Sequence, residues 1–391
     1  MATLTERLLR VLRSARAVEE ASAATHVADE GAAAEPLPLA PETSVDPYQA
    51  RMDQERAIFV DQTEVHDLPP IFHYWSNRYL LPMQQPLGVR NPEQFLARYL
   101  HESARRTGSS KPRFVSLGCG NCDAETRIAR ELVELGLDDF TLECLDINEA
   151  MLERGAQIAR ASGLETRVIP LQADLNRWEP LGSYDGIMAN QSLHHVLELE
   201  HLFDAVLAAL APRALFAVSD MIGRNGHQRW PEALAIVREF WRELPGTYRF
   251  NRQLQRQEDE FQDWDCSNEG FEGIRAQDIL PLLSVKFGFE VFVGFGNIID
   301  PFIDRGFGHH FDVTNPWDTD FIDRVHARDE AEMRAGRITP THMLAVLSTD
   351  RGTQCYHRPG LSVAHCLRAP SGAADDGSAE SGARASDARG D

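Results

Sequence analysis

Arg113-Phe-Val-Ser-Leu-Gly-Cys-Gly-Asn-Cys-Asp-Ala-Glu125 decides the fold, because an apolar run ends there in two closely spaced glycines and a helical pattern begins at once. A buried strand that passes directly into a helix through glycines offers backbone N–H groups to whatever lies above it. Taken alone, such a turn says only that a strand reverses into a helix. The pattern on either side carries the rest.

Downstream, strand and helix signals alternate. Phe114 to Leu117 reads as a short apolar strand, and Ala124 to Leu135 places Ile128, Ala129, Leu132, Val133 and Leu135 on one helical face. Thr141 to Leu145 reads as a second strand, Glu149 to Ala161 as a helix, Val168 to Leu171 as a third strand and Tyr184 to Ala189 as a fourth. Leu199, Leu202, Phe203, Val206, Leu207 and Leu210 then follow the i, i+3, i+4 rule of an amphipathic helix, which Pro212 ends. Further strands are expected at Ala214 to Ser219, Phe289 to Phe295 and Met343 to Ser348. Strands separated by helices pair in parallel through right-handed crossovers, so the pattern predicts an open, doubly wound α/β sheet with its ligands at the C-terminal ends of the strands.

Composition shifts sharply outside this core. Ala21 to Ala40 is rich in alanine, proline and acid, and Ala369 to Asp391 is nearly all Ala, Gly, Ser, Asp and Arg. Both bury too little to offset the entropy of ordering, so residues 1–45 and most of 351–391 are expected to be disordered. Residues 46–111 carry Phe59, Phe72, Tyr74, Trp75, Tyr79, Phe95 and Tyr99 and read as a folded helical N-terminal cap. The core spans 112–350. It has an aromatic-rich helical lid insertion at 222–284 and a second insertion at 299–340, either of which can line a substrate pocket or make its own small core.

With 391 residues, 43% hydrophobic content and a formal charge of −21, the chain is long enough for a large core and too acidic to grip nucleic acid or an anionic membrane. A small molecule is the expected partner. Six cysteines, three of them in the turn and strands of the core, fit reduced thiols of the cytoplasm. No apolar stretch approaches the roughly 20 residues of a membrane span, and the N-terminal leucines are broken by Arg7, Arg10 and Arg13. The sequence leaves the oligomeric state open, a homodimer included.

The chemistry should lie just after each strand: Gly118-Cys-Gly120, Asp146, Ala173-Asp174, Asn190-Gln-Ser-Leu-His-His195 and Asp220. The glycines let backbone close on a ligand, and the helix start that follows favours a carboxylate or phosphate. Asp146 stands where an acid accepts from both hydroxyls of a ribose. Asp174 is placed to accept from the exocyclic amine of an adenine, with Ile147 and Leu175 as apolar faces for the ring. Together these describe a nucleoside site.

From Pro112 to Asp220 the chain resembles the class I S-adenosylmethionine-dependent methyltransferases of small molecules, whose motifs follow the same strands in the same order. The resemblance implies a Rossmann-like seven-stranded sheet of six parallel strands and one antiparallel, with S-adenosylmethionine as cofactor. It also implies that Gly118, Cys119 and Gly120 face the methionyl part, Asp146 the ribose and Ala173-Asp174-Leu175 the adenine, while the Asn190 carbonyl receives the amino group. Ile147, Asn148, Met151 and Gln191 complete the expected cofactor set. The family pattern acid-x-Gly-x-Gly-x-Gly is altered twice, to Ser116 at the acid and Cys122 at the third glycine.

A nicotinamide-dependent oxidoreductase is the competitor within this fold, but its G-x-G-x-x-G fingerprint requires glycine where Asp123 stands, and an aspartate opposes a pyrophosphate at the helix start. A noncatalytic scaffold that keeps the fold is the alternative from another class. A metal site is not expected: Cys119-Gly-Asn-Cys122 has C-x-x-C spacing, but no second cysteine pair completes it, and His309-His310 lies in no spaced motif.

Methyl transfer chiefly needs an acceptor aligned for in-line displacement, and positioning alone can supply about 7 to 11 kcal/mol. It also needs a group to take the acceptor's proton. His194 and His195 after the fourth strand and Asp220 after the fifth are the candidates, with Met221, Arg224, His227 and Trp230 placed to line the pocket; the plainer alternative is that the histidines cap or pack the helix that follows and that Asp220 is a helix cap or an ion pair with Arg224. The Asn/Asp-Pro-Pro-aromatic motif of methyltransferases that act on exocyclic amines of DNA or on glutamine is absent, since the run here is Asn190-Gln-Ser-Leu. The histidine-containing version resembles enzymes of quinone, polyketide and other natural-product pathways, which implies an oxygen on a small organic acceptor, with nitrogen and carbon acceptors open.

Overall fold

Each apolar run of the sequence becomes a strand because it can be buried on both faces. In the computed structural model, which describes residues 47–59, 68–268 and 270–368, β1 (Arg113–Leu117) is buried from Phe114 onward and lies between β2 (Thr141–Asp146) and β4 (Gly186–Asn190). The side chains alternate as a pleat requires. Val115 and Leu117 join one core with Ile187, Ala189, Phe216 and Val218, while Phe114 joins the opposite core with Leu142, Cys144 and Met188.

The sheet has eight strands in the order β10-β8-β9-β5-β4-β1-β2-β3. β3 is Val168–Gln172, β5 Phe216–Met221, β8 Gly288–Phe295 and β9 His342–Ser348; the last runs antiparallel to both of its neighbours, β5 and β8. A separate two-stranded hairpin, β6 (Phe250–Asn251) with β7 (Arg256–Gln257), lies in the first insertion. The expected strand count is corrected from seven to eight by β10 (Tyr356–His357), which pairs in parallel with β8. That strand and a short helix at Val363–Cys366 fall in a stretch that composition assigns to the tail. The expectations of disorder for 1–45 and 369–391 lie outside the described residues.

Four helices matter to the site. α1 (Pro47–Phe59) precedes the sheet in the chain, α5 (Asp123–Glu134) follows β1, α6 (Glu149–Ala161) follows β2 and α7 (Leu199–Ala209) follows β4 by way of a short 3-10 turn. Between α1 and β1 lie α2 (Pro70–Trp75), α3 (Leu81–Gln84) and α4 (Pro92–Thr107), the last capped by the Asn91 side chain on the Gln94 N–H at 2.8 Å. α2 is tied to the second insertion, where the Trp75 indole N–H donates to His326 Nδ1 at 3.2 Å and the Tyr74 hydroxyl donates to Asp323 at 2.9 Å. The strand order reverses between β1 and β4, so their C-terminal ends diverge into the crevice where open α/β sheets hold ligands. Among the described residues no helix is long and apolar enough to cross a membrane.

Candidate active site

The glycine turn after β1 is held from two sides. Gly118 has φ +76, and a Cβ there would stand 2.5 Å from the Ser192 Cβ, so only glycine lets the β1 and β4 ends come this close. The Ser192 hydroxyl donates to the Leu117 carbonyl at 2.5 Å, and the Gly118 and Cys119 N–H groups both donate to the Leu145 carbonyl. Asp146 closes the turn from β2. One of its oxygens accepts from the Gly120 N–H at 2.8 Å and the other from the Asn148 N–H at 2.9 Å. Burial pushes the Asp146 carboxyl up, and these two N–H donors oppose the shift.

The remaining residues of the expected cofactor set surround this turn. Asn148 caps α6, accepting from the buried Met151's N–H, and its side-chain amide donates to the Arg56 carbonyl of α1 at 3.5 Å. Gly120, at φ +52, faces Met151, whose Cε would lie 3.2 Å from an added Cβ. The Ile147 carbonyl accepts from the Gln172 side chain at 3.4 Å. Ala173 N–H donates to the Asp146 carbonyl, and Leu175 Cδ1 lies 3.7 Å from the Cβ position of Gly118. Asn190 is the last residue of β4, and Gln191 follows it at φ +54 with its N–H on the Ser219 carbonyl at 2.7 Å. Asp174, expected to accept from an adenine amine, already accepts the Tyr48 hydroxyl of α1 on both oxygens at 2.8 Å. A donor therefore sits on the carboxylate that the sequence reading reserves for one, and α1 lies across the cleft.

Where the resembled motif has an acid, the structure pairs Ser116 with an acid from the next helix. The buried Glu125 accepts the Ser116 hydroxyl at 2.8 Å. Sequence reasoning missed Glu125, although it stands in the first turn of α5, where carboxylates are favoured. Burial pushes its carboxyl up to about 8, with Cys122 and Asp146 acting in the same direction and the Ser116 hydrogen bond opposing them. The folded protein thus holds this proton more tightly than the unfolded chain. Its contribution to stability is fully present below the ordinary carboxyl pKa of 4.5 and is lost as pH rises through about 8, on the order of 4 to 5 kcal/mol. Melting temperature measured across that window should fall in the parent and change less in Glu125→Gln; parallel profiles would show that Glu125 titrates as an ordinary carboxylate.

The C-x-x-C pair closes on itself. Cys122 Sγ lies 3.5 Å from Cys119 Sγ, both sulfurs are buried, and burial pushes the Cys119 thiol up. His310 is engaged elsewhere, its Nε2 at 2.7 Å from the Phe250 carbonyl.

The polar centre of the molecule lies beyond β4 and β5. Asp220, with no exposed surface, accepts the Ser192 and Leu193 N–H groups on one oxygen at 2.9 and 2.8 Å, and the Met221 N–H on the other at 2.8 Å. That second oxygen also lies 2.7 Å from His194 Nδ1. His195 Nδ1 lies 2.9 Å from Glu55 of α1. The Nε2 atoms of both rings then converge on Glu272, at 3.5 Å for His194 and 3.6 Å for His195, and His227 Nε2 reaches the same carboxylate at 2.5 Å. The sequence reading named His194, His195 and Asp220 for catalysis and His227 as pocket lining; the structure brings all four together and adds Glu55 and Glu272.

Burial disfavours charge throughout this cluster, yet the paired geometry overrides it for most members. Burial alone would lower the His194 pKa, but Asp220 and then Glu272 raise it to about 10. His195 is likewise raised against burial, by Glu272 and Glu55. Burial would raise the Glu272 carboxyl, and the histidines hold it well below its usual range. Asp220 is lowered against burial by His194 and its backbone donors, whereas burial keeps His227 below an ordinary histidine.

Two loops of the first insertion deliver the added groups. The Gly226 N–H donates to the Gly273 carbonyl at 2.9 Å, and a Cβ on Gly273 would meet the Gly226 nitrogen and His227 Cε1, each at 3.1 Å. This contact sets His227, itself at φ +55, beside Glu272. α1 then docks on the second loop: Arg51 donates to the Ser267 and Gly270 carbonyls at 2.9 and 2.8 Å, and the Phe271 N–H donates to Glu55 at 3.0 Å.

Residues 114–213 match the model of a family described as a methyltransferase domain. This stretch forms a class I S-adenosylmethionine-dependent methyltransferase domain. Over 126 residues the chain is 31% identical to a trans-aconitate 2-methyltransferase of Yersinia pestis (strain Pestoides F), a match that takes in 32% of this chain and 45% of that relative. The chain thus spans under half the length of the curated relatives it matches. Among solved structures it is similar to a putative sarcosine dimethylglycine methyltransferase from Galdieria sulphuraria, with 15% identity, a TM-score of 0.36, and 65% of this chain and 85% of that one covered. It is also similar to an O-methyltransferase of a trans-AT PKS multienzyme of Brevibacillus brevis in complex with S-adenosyl-L-homocysteine, with 12% identity, a TM-score of 0.39, and 78% and 84% covered. S-adenosylmethionine is the cofactor of such a domain.

Proposed function

We propose that this chain methylates an oxygen atom of a small organic acceptor. The observation that carries the reading is the convergence of His194 and His195, each backed by a carboxylate, at the ends of β4 and β5 beside the glycine cradle. S-adenosylmethionine supplies an activated sulfonium methyl group. Gly118, Cys119 and Gly120 hold its methionyl part together with Asn190 and Gln191, Asp146 its ribose, and Asp174 its adenine between Ile147 and Leu175, with Asn148 and Met151 shaping the floor. Tyr48 gives up Asp174 when the adenine arrives.

A hydroxyl acceptor must lose a proton as its oxygen is methylated, and an imidazole fixed by a carboxylate on its far nitrogen is suited to take it. His195 holds that proton at Nε2 while Glu55 fixes the ring through Nδ1. His194, oriented by Asp220, sets the wall against which the acceptor rests. The aromatic-rich first insertion closes over it and excludes water.

The test is product analysis with methyl-labelled S-adenosylmethionine and a panel of small hydroxy acids, phenols and enols set against amines of matching size. Label in an ether or ester methyl is the expected result. Transfer confined to the amines would overturn the oxygen assignment, and binding of a nicotinamide dinucleotide in place of S-adenosylmethionine would overturn the whole reading.

A further inference from the structure

We infer that His194, His227 and Glu272 form a binding site for a first-row divalent metal ion, zinc or a close relative, at the acceptor end of the cleft. The donor atoms of these residues all lie within 4.8 Å of one another. His227 Nε2 and His194 Nε2 stand 2.5 and 3.5 Å from the same Glu272 oxygen. Ligand atoms bonded at about 2.0 to 2.2 Å in a tetrahedron are about 3.3 to 3.6 Å apart, so only small side-chain shifts separate this arrangement from a coordination shell. Two imidazoles and one carboxylate are a donor set of intermediate softness, suited to zinc, cobalt, manganese or iron rather than to calcium or magnesium.

The surroundings support the same assignment independently. A histidine that binds metal through Nε2 usually gives its Nδ1 proton to a carboxylate that fixes ring and tautomer. Asp220 stands in that place behind His194 at 2.7 Å, and is itself fixed by the N–H groups of Ser192, Leu193 and Met221. With its Nδ1 on Asp220, His194 directs Nε2 at the Glu272 carboxylate, so the two groups are oriented to share a cation in place of the proton between them. His194 is buried, whereas His227 and Glu272 keep part of their surface open, which leaves the fourth position reachable from the cleft.

The consequence for catalysis rests on the methyl-transfer reading. An acceptor hydroxyl bound at the fourth position has its O–H bond weakened, the proton passes to His195 Nε2, and the ion holds the charge left on oxygen. No electron is gained or lost by the ion.

Metal binding can be tested without cofactor or acceptor. Purified full-length protein, stripped with a chelator, is titrated with Zn2+ by calorimetry and with Co2+ by visible absorption. One ion per chain is expected, with the d–d bands of a low-symmetry nitrogen and oxygen site. Both His227→Ala and Glu272→Gln should weaken binding at least about 100-fold, and Asp220→Asn about 10- to 100-fold. Cys119→Ser should leave Zn2+ and Co2+ affinity unchanged, whatever it does to cofactor binding. Absence of Zn2+ and Co2+ binding to folded parent protein would overturn the site, as would binding that survives His227→Ala and Glu272→Gln or that depends on Cys119. S-adenosylhomocysteine binding, measured on the same stripped sample, separates failure of the metal site from failure of the methyltransferase reading.

Discussion

Asp220→Asn should lower turnover by about 10²- to 10⁴-fold while leaving cofactor affinity within a few-fold of the parent. The hydrogen bonds of Asp220 go to Ser192, Leu193, Met221 and His194 rather than to the glycines, so its loss bears chiefly on the acceptor side of the cleft. The substitution keeps the volume but replaces one acceptor oxygen with an NH2 group. Whichever way the amide turns, that group meets either the Ser192 and Leu193 N–H groups or the Met221 N–H and His194 Nδ1. Removing one member of a buried ion pair also costs about 3 to 5 kcal/mol, so the melting temperature should fall. A stability loss alone would lower the active fraction without selectivity. The distinguishing measurement is a double-mutant cycle on kcat with His194→Ala. If Asp220 acts by fixing His194, then Asp220→Asn adds little in the His194→Ala background, because the two form one unit. Fully additive losses would detach Asp220 from catalysis.

The sheet was largely legible because its signal is local. Strands expected at Phe114, Thr141, Val168, Tyr184, Ala214, Phe289 and Met343 all form, with boundaries moved by at most two residues, and the helix expected over 149–161 is the observed one. A central parallel strand must be apolar along its whole length, and the helix beside it must be apolar on one stripe, so both leave periodic marks. β10 leaves none. It is two residues long, and its pairing depends on the partner strand β8 rather than on any pattern of its own.

The site divides along the same line. Gly118, Gly120, Asp146, Asp174, His194, His195 and Asp220 were readable because the topology dictates that strand ends carry the chemistry. Glu272, Glu55 and Tyr48 come from a lid loop and from the helix before the sheet, and nothing periodic links them to the strands. The signal that existed was glycine: Gly226 before His227, and Gly270 and Gly273 around Glu272, all at positive φ. Glycines that flank a titratable residue in an otherwise aromatic insertion mark loops packed too closely for side chains. The expectation of no metal ligands rested on cysteine and histidine spacing, which is a property of the chain, whereas the set proposed above is assembled only by the fold.

Asp146→Ala should weaken binding of S-adenosylhomocysteine by about 10²-fold or more. An ionised carboxylate has about four acceptor positions. The Gly120 and Asn148 N–H groups use two, one on each oxygen, and two remain for the paired hydroxyls of a ribose. Each hydrogen bond to a charged group contributes about 1.5 to 3 kcal/mol, so losing both hydroxyl contacts gives at least the stated change. The same substitution frees the Gly120 turn, and that structural loss by itself would also weaken binding. A 2′-deoxy form of the ligand tells the two effects apart. Against parent protein the missing hydroxyl should cost about 10-fold or more, and against Asp146→Ala almost nothing, because its partner is already gone. An equal penalty in both proteins would mean that Asp146 only shapes the turn and that the ribose is held by other groups.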